Sequence, residues 1–172
     1  MPDRARAIET DVVIGAIAGV VATTAMTLSM AAMFRRLAQA ERYPLPPREL
    51  TERTAASAGI RDAMDEPQVR AATLVSHFGF GALMGSLYVP LLHARRAPGA
   101  GSGVGFGLLV WAASYLGWVP GLGLLRPATE HPPRRSGLMI AAHVVWGTVL
   151  GAVARRLTGA LEPFAGGPLR DR

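Results

Sequence analysis

Cysteine is absent from the 172 residues, and so is lysine. The first absence removes disulfides, thiolate metal sites and cysteine nucleophiles. The second makes all 18 basic side chains arginines. Charge of either sign is missing from four long stretches, residues 12–34, 71–94, 97–125 and 136–154. A soluble helix must show charge to water along one face, so these runs exclude a soluble enzyme, a secreted disulfide scaffold and a disordered chain. About 18 or more uncharged apolar residues suffice to cross the roughly 30 Å hydrocarbon core as a helix. The sequence therefore predicts an all-α, integral membrane four-helix bundle with no room for a separate soluble domain. No span contains a carboxylate, and no Gly-rich phosphate loop, Ser-His-Asp arrangement or metalloprotease motif occurs. Hydrolase and nucleotide chemistry thus have no support, and the expectation is a protein that is not an enzyme.

The charge that is present sits at span ends, in the pairs Arg35 and Arg36, Arg95 and Arg96, Arg134 and Arg135, and Arg155 and Arg156. Guanidinium groups among anionic headgroups contribute on the order of 1 kcal/mol each. This placement, without a basic groove interleaved with aromatics, assigns the net charge of +6 to the lipid bilayer and not to nucleic acid. An Arg-only, Ala- and Gly-rich composition points to a bacterium and hence to its inner membrane. Arginine counts on the two sides differ too little to orient the chain, and the tight pairs favour cytoplasmic termini. The first apolar run is too long for a secretory signal and is read as a retained span.

The spans are placed at about 12–34, 71–92, 104–125 and 137–154, after an N-terminal tail (1–11) and within a membrane domain (12–157). The long connection 35–70 carries a possible surface helix at 49–64, and residues 158–172 read as a disordered tail. The third span, with Trp111, Ser114, Tyr115 and Trp118 ahead of Pro120, Gly121 and Gly123, is expected to kink or end early. Trp118 and Tyr88 read as an interfacial belt, and His93 and His131 as solvated.

Aligning the halves exposes a repeat. His77 to Gly85 and His143 to Gly151 both read His-x-x-aromatic-Gly-x-x-x-Gly. The odd spans match through Gly15 and Gly19, and Gly103 and Gly107, and both following connections carry Pro-Pro-Arg. Two hairpins related by a two-fold axis along the membrane normal are implied. Helical spacing puts Gly81 and Gly85 on the face of His77, and Gly147 and Gly151 on the face of His143. Glycines four apart let helices approach closely in lipid, and they could equally serve association with a second copy or another membrane protein.

His77 and His143 lie at matching depth, and intramembrane ionisable groups are candidates for function. They could handle protons or a transported solute, hold a haem or a metal, or only pack, with Thr73, Ser76, Thr148 or a backbone carbonyl as hydrogen-bond partner. Thr23, Thr24, Thr27 and Ser29 either line a small cavity or bond to their own helix. Finally, Pro44-Leu45-Pro46-Pro47-Arg48 after the first span and His143-Val144-Val145-Trp146 in the last resemble the bacterial inner-membrane family of unknown function that includes YagU. The resemblance implies a multi-span inner-membrane protein and supplies no activity, cofactor or catalytic residues. The function expected from the sequence is thus a packing or accessory module working through Gly-rich faces, with a small transporter or proton-handling protein as the alternative and a haem-binding electron carrier behind it.

Overall fold

A computed structural model describes residues 2–93 and 98–165, among which there are helices and turns but no strand. The long helices are α1 (Pro2–Phe34), α3 (Glu66–His93) and α6 (Pro133–Ala165). The shorter α4 (Ala100–Ala112) continues through a π-helical stretch, Ala113–Trp118, into the single turn α5 (Val119–Gly121). Among the described residues four segments are long and apolar enough to cross a membrane: Ala5–Phe34, Glu66–Leu92, Ala100–Gly121 and Pro133–Leu161. Many large apolar side chains point outward, among them Val13, Ile17 and Leu28 on α1 and Leu74, Val75 and Leu91 on α3. Hydrocarbon, not water, suits such a surface, and the chain is a multi-pass membrane protein.

The helices overrun the uncharged stretches. α1 takes in the tail expected at 1–11, and α6 continues to Ala165, so the disorder expected from 158 is not found that far; residues 166–172 lie outside the described residues. Charge marks where a helix leaves hydrocarbon, not where its hydrogen-bond ladder stops, and Arg155 and Arg156 stand exposed on a continuing helix. The third span, Ala100–Gly121, begins and ends four residues before the expected 104–125. Pro120 cannot donate to the preceding turn, Gly117 leaves helical dihedrals (φ −117°, ψ −108°) and Gly123 adopts φ +69°. In the long connection α2 spans Pro46–Ser57, earlier and shorter than the surface helix expected at 49–64. Pro46 and Pro47 open it, where a missing N–H costs no helical hydrogen bond, and Gly59 at φ +71° follows its end.

Packing runs in the order α3, α1, α6, α4: α1 packs on α3 and α6, α6 also packs on α4, and α3 and α4 barely meet. Small residues set the two pair interfaces. Gly15 and Gly19 face Gly85 and Gly81, and Gly103 and Gly107 face Gly147 and the carbonyl of His143. The falling register shows both pairs to be antiparallel. A Cβ on Gly85 would stand 2.8 Å from the Gly19 Cα, and one on Gly107 would stand 2.5 Å from the His143 carbonyl oxygen. Only glycine allows that approach. The central α1/α6 interface is filled by Ala18, Ala22, Met26 and Met30 against Ala142, Trp146, Leu150 and Ala154, all buried.

Candidate functional site

Thr23 ties the two central helices together. Its hydroxyl donates to the Gly19 carbonyl at 2.8 Å and accepts from the Trp146 indole N–H at 3.1 Å. The hydroxyl occupies the space that a Cβ on Gly81 would fill. Thr24, Thr27 and Ser29 each donate to a carbonyl of their own helix, as back-bonding hydroxyls do.

On the side of the bundle that carries the 35–65 connection, α3 and α4 diverge and enclose a cavity of about 610 Å³. The last half of α1 contributes Thr23, Met26 and Met30. The first half of α3 contributes Ala72, Ser76, His77 and Phe80, and the first half of α6 contributes Met139, His143 and Trp146. Val110, Ser114, Tyr115 and Trp118 come from α4 and the π-helical stretch. α2 covers it with Leu50, Thr51, Thr54 and Ala55. Among the described residues no Asp, Glu or Arg lines it. At the opposite end the seam is shut by Tyr88, whose ring meets Phe106 at 5.4 Å and whose hydroxyl donates to the Gly99 carbonyl. That end position buries Tyr88 completely, so it is not the interfacial belt residue expected; Trp118 is 45% exposed.

Both histidines line this one cavity. His143 is buried, donates through Nδ1 to the Met139 carbonyl at 2.8 Å and meets the Tyr115 ring edge-on at 5.9 Å. His77 lies edge-on to Phe78 and has a buried Nε2 without a hydrogen-bond partner among the described residues. Neither histidine bonds to the hydroxyls considered for it. Thr73 donates to Val69, Ser76 to Thr73, and the exposed Thr148 to Val144. Among the described residues no group of three His, Asp or Glu could hold a metal ion.

Two arginines act differently from headgroup anchors. Arg135 is 2% exposed and lies 3.4 Å above the Tyr43 ring. It donates to the carbonyls of Glu41, Tyr43 and Pro44. Sequence reasoning grouped it with Arg134 at the headgroups, but only Arg134 is exposed. The loop's own carbonyls, fixed by Pro44 and Pro46, replace the lipid phosphate. Arg48, which ends the Pro-Leu-Pro-Pro-Arg stretch, donates to Glu52 at 3.0 Å and to Glu66 at 2.8 Å, fastening α2 to the start of α3. The Glu66 carboxylate raises the Arg48 pKa above its ordinary value. His131 pairs with the Tyr43 hydroxyl at 2.8 Å and is not freely solvated, and burial lowers its pKa.

Sequence reasoning did not assign Ser114, Tyr115 or the α2 residues to the site. The available signal was the nearby Gly117 and Pro120, since π-helical turns recur at functional sites.

The family described as "Protein of unknown function (DUF1440)" matches residues 34–152, which include α2, both histidines and the π-helical stretch but leave nearly all of α1 outside. No curated protein and no solved structure matches the chain.

Proposed function

We propose that the chain, which belongs to this family of unknown function, is a non-enzymatic membrane-embedded binding protein. It takes a small lipid-soluble molecule into the cavity between α3 and α4. The observation that carries this reading is the divergence of that one seam while the other three interfaces are closed. A volume of about 610 Å³ is within the range of sites for small molecules. An apolar wall bearing a few convergent polar groups is the usual composition of such a site. The alternative in which Gly-rich faces recruit a partner has less support, because all eight glycines face backbone or side chains of this same chain. Proton relay and haem binding have less as well. The lining offers no carboxylate for a relay and no arginine to meet haem propionates.

We further propose the bacterial inner membrane as its location, with cytoplasmic termini, from the arginine-only composition and the resemblance to the YagU-containing family. The two antiparallel glycine-packed pairs accord with a duplicated hairpin, and lipid is the chain's first partner.

Native mass spectrometry of the protein released from nanodiscs tests the binding reading. Wild type is expected to carry lipid-soluble adducts. The cavity-filling double variant Ala72→Phe, Val110→Phe should lose them while keeping its helical content. Equal adducts on both, or none on wild type, would sink the proposal.

A further inference from the structure

The reading above leaves open what kind of molecule the cavity accepts, and the polar atoms on its wall narrow that choice. We propose that the ligand is an uncharged lipid whose head is a hydroxyl group, held by His143, Tyr115 and Ser114. This inference rests on the cavity being a binding site.

Among the described residues the lining contains no Asp, Glu or Arg side chain. An ionised head would lose its hydration there with nothing to replace it, which is prohibitive for an isolated charge in an apolar medium. Carboxylates, phosphates and ammonium groups are therefore poor heads, whereas a neutral polar head needs only hydrogen-bond partners.

Three such partners line the cavity. Nδ1 of His143 donates to the Met139 carbonyl on its own helix, so the opposite ring edge is turned toward the cavity that the residue lines. In a neutral imidazole that edge carries the Nε2 lone pair, an acceptor that requires a donor from the ligand. Tyr115 packs edge-on against this imidazole at 5.9 Å. Ser114 is its neighbour on the π-helical stretch. Neither of the Ser114 and Tyr115 hydroxyls makes a hydrogen bond within the described residues, although both side chains line the cavity and both residues are buried.

Of the other polar groups on the wall, the buried His77 Nε2 has no partner among the described residues, and four groups are engaged. Thr23 and the Trp146 indole bond to each other, and Thr51 and Ser76 bond to carbonyls and to each other. What is left on the wall is the His143 acceptor, the two hydroxyls of Ser114 and Tyr115, and the His77 Nε2. A ligand hydroxyl serves the first of these by donating to the His143 Nε2, and it accepts from Tyr115 or Ser114. A ketone, an ether or a hydrocarbon gives that Nε2 no donor.

Trp118 and Trp146 line the same space and report on its occupancy. The test uses the full chain in nanodiscs, titrated with farnesol, farnesyl methyl ether, farnesoic acid and the hydrocarbon farnesene, each expressed as mole fraction in the bilayer. Quenching of tryptophan fluorescence is read. Farnesol is expected to bind about tenfold more tightly than its ether, the effect of leaving one buried acceptor unpaired, and farnesoic acid more weakly still. Removing both donors with Tyr115→Phe and Ser114→Ala should weaken farnesol and its ether alike, whereas His143→Phe, which removes the acceptor, should abolish the advantage of the alcohol over the ether. Equal binding of alcohol and ether by wild type, or preference for the acid, overturns the hydroxyl assignment and leaves the cavity reading standing. If none of the four compounds, farnesene included, changes the fluorescence, the cavity reading itself fails.

Discussion

Two seams of this bundle join helices from different pairs, α1 with α6 and α3 with α4, yet only the first is closed. In the closed one Ala18 and Ala22 meet Ala142 and Ala154, with Met26, Met30, Leu150 and Trp146 filling the rest and the Thr23–Trp146 hydrogen bond across it. The open one bears aromatics: Tyr88 against Phe106 at one end and Phe80 against Trp118, with 6.3 Å between ring centroids, at the other. Lipid tails are as apolar as the side chains, so no hydrophobic force draws two helices together inside a bilayer. Side-chain size then decides. Small residues bring backbones into contact and rings facing rings prop them apart, whereas Trp146 in the closed seam meets the small Thr23.

The comparison breaks most sharply at a closed interface. Gly147→Leu would drive a Cβ against the Gly103 and Val104 backbone, which cannot yield as a flexible side chain can. A loss of about 3 kcal/mol or more is expected, or no folded protein. Gly105→Leu, with nothing within 4 Å of its Cβ position, should stay within about 0.5 kcal/mol of wild type. Steric trapping of the unfolded state measures both, and equal losses would refute the size argument. A middle effect comes from Thr23→Val, which keeps the shape and strands the Trp146 N–H; about 1–3 kcal/mol is expected by the same method. The smallest concerns the cover of the open seam. Arg48→Ala removes partly exposed ion pairs to Glu52 and Glu66, for about 0–1 kcal/mol that fades with added salt. A larger, salt-independent loss would mean that α2 is structural and not merely a cover.

Much of the scaffold was legible in the sequence, because burial in lipid removes charge and close packing in lipid selects glycine. Four uncharged runs correspond to four apolar helices, and the Gly spacing is plain in the chain. Helix ends were less legible, since α1 and α6 run on past the charged residues that bound the uncharged runs. His77 and His143 could be singled out by type and depth, but not their shared cavity. That depends on which seam stays open, a long-range outcome that a symmetric repeat does not announce. Arg135 was misread for a related reason. A buried arginine and a headgroup arginine look identical until the chain folds the Tyr43 and Pro44 carbonyls onto one of them.

The cavity reaches only part of the way across. Its lining comes from the helix halves next to the 35–65 connection, and beyond them glycine packing and Tyr88 close the bundle. A molecule entering between α3 and α4 must therefore come from one leaflet. The two leaflets of a cell membrane differ in composition, so the same chain inserted the other way up would sample a different pool of lipids through an unchanged site. Topology, which in most membrane proteins decides what faces the water, would on the proposed binding reading also decide which monolayer is sampled.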